Sequence, residues 1–239
     1  DTLAGGAGDD LLIGDASISG DVVDTWEVAL SPPTDGNGGD YRYTLMGVTG
    51  LDDGEGFSGA DSLYGGAGAD WLLGNGGNDF LDGGSGDDVL FGGADSDTLI
   101  GGQGTDVLVG GAGRDTYIFH QGDGEETIID DNPGGSDANI LIFGKGIAKE
   151  GIKLRKGSLL LDLGDGDAIH IENFDAENPL ATQSFASFQF ADGSSLTWEE
   201  LLAKGFDLDG TDGEDSIVGT GVADRIDGRA GNDLIWGLD

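Results

Sequence analysis

Residues 56–118 read GFSGADSLY GGAGADWLL GNGGNDFLD GGSGDDVLF GGADSDTLI GGQGTDVLV GGAGRDTYI, which is one nine-residue pattern repeated seven times without a gap. The pattern is G-G-x-G-x-D-x-U-x, where U is a large apolar residue. The sixth position is aspartate in every block: Asp61, Asp70, Asp79, Asp88, Asp97, Asp106 and Asp115. The eighth position is apolar throughout: Leu63, Leu72, Leu81, Leu90, Leu99, Leu108 and Tyr117. This fixed period predicts a solenoid built from identical units.

Each position of the block has a physical role. Glycines at positions one, two and four permit positive φ, so six residues can make one tight turn. The remaining x-U-x is long enough for a three-residue strand whose middle side chain faces inward. Two blocks then complete one coil of a flattened roll. We expect every second apolar residue to stack in line, in the two series Leu63, Leu81, Leu99 and Leu72, Leu90, Leu108.

The turns should form two parallel ladders, each with one aspartate for every two blocks. Carboxylates and exposed turn carbonyls at this spacing make all-oxygen sites, which suit a hard cation such as calcium. The sequence therefore predicts calcium ions bridging aspartates two blocks apart: Asp61–Asp79, Asp70–Asp88, Asp79–Asp97, Asp88–Asp106 and Asp97–Asp115.

The repeats resemble those of the RTX (repeats-in-toxin) proteins of the haemolysin type, which form calcium-binding parallel β-rolls. The resemblance implies an all-β chain whose centre is a parallel β-roll. It also implies that carbonyls of glycines at positions two and four are further calcium ligands: Gly66, Gly68, Gly84, Gly86, Gly102 and Gly104. The block at residue 92 has Asp95 in place of its fourth glycine, and we expect this turn to survive because aspartate tolerates the left-handed conformation. A flexible glycine-rich linker would not require aspartate and leucine in register.

The N-terminal part of the chain holds one more block and an interruption. Residues 1–13 include a complete block with Asp10 and Leu12 in place. Residues 14–55 break the period, and strand-like runs at 24–30 and 41–48 predict a hairpin inserted into the roll. The loop between them is rich in glycine and proline.

Residues 119–206 have a different composition, with less glycine and six strand-like runs: 126–129, 139–143, 152–155, 159–163, 168–171 and 185–190. Thr197 followed by Glu200 is a capping box, which predicts a short helix over 198–204. The segment resembles the β-rich part that often follows the roll in haemolysin-type RTX proteins. We expect it to cap the end of the roll, where a strand edge would otherwise be exposed.

Residues 207–239 begin a second roll. Three blocks carry Asp215, Asp224 and Asp233 at position six, and isoleucine at position eight. Only Asp215 and Asp233 lie two blocks apart, so about one complete site is expected here. The chain begins and ends inside a block, which predicts that it is a piece of a larger protein.

The composition agrees with cation binding. The chain has 47 acidic and 10 basic residues and a formal net charge of −37, which would be strongly self-repelling in a compact state. Bound divalent cations would offset that repulsion, whereas a merely solvated acidic surface would not place so many acids at position six. The charge argues against nucleic acid and anionic membranes as partners. No apolar run reaches the length of a membrane span, so direct membrane insertion is not expected.

The sequence shows no catalytic motif of the zinc-protease, serine-hydrolase or phosphate-loop kind. His120 and His170 each lie beside an apolar strand residue and are expected to be structural. We therefore predict a non-catalytic calcium-binding module of a secreted or surface RTX protein. The resemblance implies type I secretion of an unfolded chain that folds on meeting extracellular calcium. Two alternatives remain open: a ligand-binding or anchoring part of a large RTX adhesin, whose glycan or surface partner is unknown, and an accessory module of an exported enzyme.

Overall fold

A computed structural model describes residues 2–8, 10–14, 27–31, 42–46, 59–129, 138–155, 159–180 and 183–237. The described part is mostly parallel β-structure with a single short helix, which confirms the predicted all-β parallel roll. The strands up to the end of the regular repeats are β1 (Thr2–Ala7), β2 (Leu11–Ile13), β3 (Glu27–Ser31), β4 (Arg42–Met46), β5 (Ser62–Ala67), β6 (Trp71–Gly76), β7 (Phe80–Ser85), β8 (Val89–Ala94) and β9 (Thr98–Ala112).

The eighth-position side chains form two stacks inside the roll. In stack A, Leu63 pairs with Leu81 and Leu81 with Leu99 across parallel strands. In stack B, the paired residues are Leu72, Leu90 and Leu108. All six leucines are at most 2% exposed. The predicted stacking of alternate blocks is therefore confirmed, and it makes the hydrophobic core of the roll.

The strands are longer than the predicted x-U-x. Strands β5 to β8 have six residues each, and β9 runs through two blocks over 15 residues. They extend because the first three positions of the next block also pair with the neighbouring coil, as Gly66 does with Gly84. Since these glycines have no Cβ, the turn backbones approach closely enough to pair. The prediction of three-residue strands was wrong for this reason.

The first coil stacks directly on the regular roll despite the interruption between them. Leu3 pairs with Leu63, and Leu12 pairs with Leu72, both in parallel register. Within the interruption, β3 and β4 pair antiparallel, which agrees with the expected hairpin. Residues 24–26, 41 and 47–48 of the predicted strands, and 32–39 of the loop, lie outside the described residues.

After the regular repeats the strands are β10 (Thr116–Phe119), β11 (Gly124–Ile129), β12 (Asn139–Phe143), β13 (Lys153–Arg155), β14 (Leu159–Gly164), β15 (Asp167–Ile171), β16 (Phe185–Phe190), β17 (Ser195–Leu196), β18 (Phe206–Asp209), β19 (Ser216–Val218), β20 (Asp224–Asp227) and β21 (Leu234–Trp236). All six strand-like runs predicted in 119–206 are strands, with ends shifted by two residues at most.

The segment after the roll continues both stacks. Stack A passes from Tyr117 to Leu141 and then Phe188 through parallel pairing of β10, β12 and β16. Stack B passes to Ile128 and Ile171 through β11 and β15. The segment thus covers the last regular coil by adding further coils.

Helix α1 (Trp198–Leu202) ends two residues earlier than predicted. The Thr197 side chain and Glu200 form the expected capping box. Gly205 has φ +75°, a left-handed conformation that ends the helical turn. The helix is anchored by Trp198, which is fully buried against Phe188 and donates its indole N–H to the Pro179 carbonyl at 3.0 Å.

The C-terminal strands form a further parallel coil pair. Leu208 in β18 pairs with Ile226 in β20, and Ile217 in β19 pairs with Ile235 in β21. Strand β18 also pairs with β13, so this coil is linked to the segment before it.

A second apolar cluster lies on the outer face of the stack B strands. It consists of ninth-position residues that are only 1–7% exposed: Leu73, Phe91, Val109 and Ile129. The seventh-position Trp71 packs beside them, with its ring 6.2 Å from that of Phe91. The alternation along each strand places the positions that flank U outward, as found here, but it did not show that one outer face would be apolar and buried.

Candidate metal site

The sixth-position carboxylates point into the roll beside the leucine stacks. Alternation along a strand puts positions six and eight on the same face. The seven aspartates of the regular blocks are accordingly 0–3% exposed: Asp61, Asp70, Asp79, Asp88, Asp97, Asp106 and Asp115. Such burial of so many carboxylates is unfavourable unless each has partners.

One oxygen of six of these carboxylates accepts a hydrogen bond from the backbone of the neighbouring coil. The backbone N–H of Asp70 donates to Asp88 Oδ1, and that of Asp88 donates to Asp106 Oδ1, both at 2.8 Å. Equivalent bonds of 2.7–3.0 Å run from Asp10 to Asp70, Asp61 to Asp79, Asp79 to Asp97 and Asp97 to Asp115. The structure therefore shows two carboxylate ladders, ladder A (Asp61, Asp79, Asp97, Asp115) and ladder B (Asp10, Asp70, Asp88, Asp106).

The second oxygen lacks a protein partner at several steps. The Oδ2 atoms of Asp88, Asp97 and Asp106 are buried and accept no hydrogen bond from any described residue. Burial, together with neighbouring carboxylates, raises the pKa of Asp88 and Asp97 to about 7 and that of Asp106 to about 6. A cation held between successive carboxylates would supply the missing partner and favour the charged form.

The glycines expected as ligands lie where their carbonyls face the next coil. Gly84 and Gly102 have φ of +105° and +98°, and a Cβ on either would collide with the carbonyl oxygen of the second-position glycine one coil earlier. The fourth-position glycines stack in the same way, because a Cβ on Gly86 would collide with the carbonyl oxygen of Gly68, and a Cβ on Gly104 with that of Gly86. Their carbonyl oxygens lie between adjacent turns, and their role as calcium ligands stays a prediction. Asp95 takes φ +77°, so the turn does survive the exchange of its fourth glycine.

The donor set fits a hard cation. Among the described residues there is no cluster of three or more histidine, cysteine, aspartate or glutamate side chains spaced to hold a metal ion. A site here would have to combine two carboxylates with backbone carbonyl oxygens. Such all-oxygen coordination suits calcium, whereas zinc takes nitrogen and sulfur ligands.

The ladders end at residues that differ from the repeat. Asp115 donates its backbone N–H to Asn139 Oδ1 at 2.8 Å, so an asparagine takes the next step of ladder A. Asn139 is 3% exposed. The sequence analysis missed it because Asn139 lies 24 residues after Asp115, whereas steps within the ladder are 18 residues apart.

The C-terminal blocks reproduce the ladder only in part. The backbone N–H of Asp215 donates to Asp233 Oδ1 at 3.1 Å, as expected for residues two blocks apart. The carboxylate of Asp224 accepts from the backbone N–H and the hydroxyl of Thr220, at 2.7 and 2.8 Å. The carboxylate of Asp215 accepts from Thr211 in the same way, at 2.7 and 3.0 Å. Asp224 was predicted as a ligand, and here its oxygens serve a local turn.

A family profile for the RTX calcium-binding nonapeptide repeat matches the chain in four copies, at residues 1–17, 55–90, 82–117 and 209–239. The chain carries RTX-type calcium-binding nonapeptide repeats. The RTX profile matches the blocks of the roll and the C-terminal coil, and RTX repeats of this kind bind calcium. No curated protein matches the chain. Among the residues that the structure describes, no helix has the length and apolar character of a membrane span.

Proposed function

We propose that this RTX chain is a non-catalytic module that folds when it meets extracellular calcium after export. The main support is the set of buried carboxylates at Asp88, Asp97 and Asp106, each with one oxygen that accepts no hydrogen bond from a described residue. A roll with these groups charged and without cations would be disfavoured by both desolvation and mutual repulsion.

The energetics favour a switch. A ligand that binds only the native state adds about 2.7 kcal/mol per site at one hundred times its Kd. Several coupled sites would exceed the whole stability of a typical domain, which is about 5–15 kcal/mol. Calcium is scarce inside cells and plentiful outside them, so the module would stay unfolded before export. RTX repeat proteins are typically exported, which supports an extracellular or cell-surface location. Passage through a type I system is part of the same proposal.

The surroundings of the histidines support a non-catalytic role. His120 is exposed, and its Nδ1 lies 3.4 Å from Asp123 Oδ2. His170 lies within β15, paired with Thr127 on one side and Leu160 on the other. Both positions agree with the expected structural role of these histidines.

Far-UV circular dichroism across a calcium titration tests the switch. In excess chelator we expect the regular repeats to be largely unfolded, and calcium should produce β-structure in a steep, cooperative transition. Magnesium should substitute poorly because it prefers a smaller octahedral site and dehydrates reluctantly. A spectrum already fully β-rich in chelator would refute the proposal, even if calcium still bound.

A further inference from the structure

Residues 121–126 form a turn with the geometry of a calcium turn, although their sequence is QGDGEE. Gly122 and Gly124 take φ of +92° and +107°, as glycines at positions two and four do in the regular blocks. Glu126 then falls at position six and Ile128 at position eight. The block is hidden in the sequence because two extra residues precede it and glutamate replaces aspartate.

This turn stacks on the preceding turn as the regular turns do. Gly124 pairs in parallel register with Gly104, and a Cβ on Gly124 would collide with the Gly104 carbonyl oxygen. A Cβ on Gly104 would collide in the same way with the carbonyl of Gly86. The coil containing residues 121–129 therefore takes the next step above the turn that ends at Asp106.

The hydrogen bonds between the turns agree. The backbone N–H of Gly104 donates to the Asp123 carbonyl at 2.7 Å. One coil earlier, the N–H of Gly86 donates to the Gln103 carbonyl at 2.8 Å. In both pairs a fourth-position N–H bonds to the third-position carbonyl of the next coil.

Glu126 occupies the ladder position itself. It is in register with Asp106 and is 2% exposed. Its Oε2 is buried and accepts no hydrogen bond from a described residue. Two further carboxylates, Asp123 and Asp167, lie close enough to repel its charge.

Asp167 closes the far side of the turn. Its carboxylate accepts the backbone N–H of Gly122 at 2.8 Å and that of Gly124 at 3.3 Å. One coil further on, Ile169 is the residue in register with Glu126, so no carboxylate continues ladder B. The space between Asp106 and Glu126 is thus the last step of the ladder with a carboxylate on each side.

We propose that ladder B has a further calcium site between the turn ending at Asp106 and the turn ending at Glu126, with these two carboxylates as its charged ligands. Turn carbonyls, including that of Gly104, would supply neutral oxygens. The site rests on the proposed calcium-dependent folding. The competing interpretation is that Glu126 stays protonated and packs as a neutral group against Leu108 and Ile128, which line the same small cavity.

Counting bound calcium on the whole chain separates the two interpretations. Glu126→Gln keeps the size of the side chain and removes its charge, and it should bind one ion fewer in equilibrium dialysis with metal analysis. Glu125→Gln is the matched control, because Glu125 is exposed and carries the same charge. It should bind as many ions as the unmodified chain, and so should Glu126→Asp, which restores the usual residue of position six.

A full complement of ions in Glu126→Gln would overturn the site. If that variant does not become β-rich in saturating calcium, the count is made on Glu126→Leu, an apolar side chain suited to the cavity beside Leu108 and Ile128. One ion fewer than Glu125→Gln supports the site, and an equal count overturns it. Absence of any calcium binding by the unmodified chain would instead reject the proposed function.

Discussion

Glycine at the second position of a block serves the contact between coils as well as the turn. Gly84 has φ +105°, and a Cβ there would meet the Gly66 carbonyl oxygen of the neighbouring coil. Gly164, the last residue of β14, has φ +88° but open space where a Cβ would be. The two residues therefore share the conformational requirement and differ in the packing requirement.

We predict that Gly84→Ala destabilises the protein more than Gly164→Ala. Each variant incurs the left-handed penalty of about 1–2 kcal/mol. Gly84→Ala adds the strain of forcing apart two coils, about 1–3 kcal/mol as for an overpacked core. Urea unfolding in saturating calcium measures the free energy of unfolding of each variant. An equal decrease in the two variants would contradict the role given to the stacked carbonyls.

The aspartate ladders could be predicted from the sequence, but their hydrogen bonds could not. An aspartate at the sixth position of each nine-residue block indicates which side chains share a ladder. That Asp88 Oδ1 accepts the backbone N–H of Asp70, so that one oxygen remains for a cation, depends on the distance between coils. The period fixes the order of the coils, whereas their separation follows from close packing of glycine backbones.

Each aspartate in the middle of a ladder is hydrogen-bonded to the coils on both sides of it. The Asp88 carboxylate accepts the backbone N–H of Asp70, and the backbone N–H of Asp88 donates to the Asp106 carboxylate. We predict that Asp88→Ala raises the calcium concentration needed for folding and lowers the steepness of the transition, because each coil contacts only its neighbours.

Asp224→Ala is the comparison variant. The Asp224 carboxylate bonds to Thr220 within its own turn, so its loss should leave the main transition nearly unchanged. Calcium titrations followed by circular dichroism would show the contrast. Equal midpoints for the two variants would argue against energetic coupling along ladder B.

The sequence predicted the bounds of strands better than it predicted departures from the nine-residue period. The strands at 139–143 and 185–190 have the predicted bounds because their alternation is clear. The block at 121–129 was not predicted, because two inserted residues shift it out of the nine-residue period and Glu126 replaces the aspartate of the pattern. The burial of Leu73 and Phe91 was not predicted, because a nine-residue block alone does not show that one outer face of the roll is apolar.

For the roll as a whole, the buried carboxylates predict that the stability of the calcium-free fold depends on pH. The pKa of Asp88 and Asp97 rises on folding from an ordinary 3.8 to about 7, chiefly through burial. A group whose pKa is raised in the folded state stabilises that state fully below the ordinary value, and the contribution is lost as the pH rises through the folded value. Without calcium, the roll should therefore be less stable at about pH 8 than at about pH 5.

The measurement is circular dichroism in chelator between these two pH values, kept above the sequence pI of about 4.1 to limit precipitation. We expect β-structure to increase on acidification without added metal. Folding by calcium should show the reverse trend. The calcium concentration at the midpoint of folding should be higher at the lower pH, because the carboxylate ligands must be deprotonated. Calcium-free β-content that does not change with pH would contradict the raised pKa values.

The first coil pairs with the regular roll across sixty residues, where regular coils pair across eighteen, and the stack is the same on both sides. The forty-two additional residues leave the register between the two coils unchanged. The boundary between two coils is thus a natural grafting point for foreign peptides. A reporter or binding loop inserted there would be displayed on a scaffold whose assembly is set by the calcium concentration of the medium.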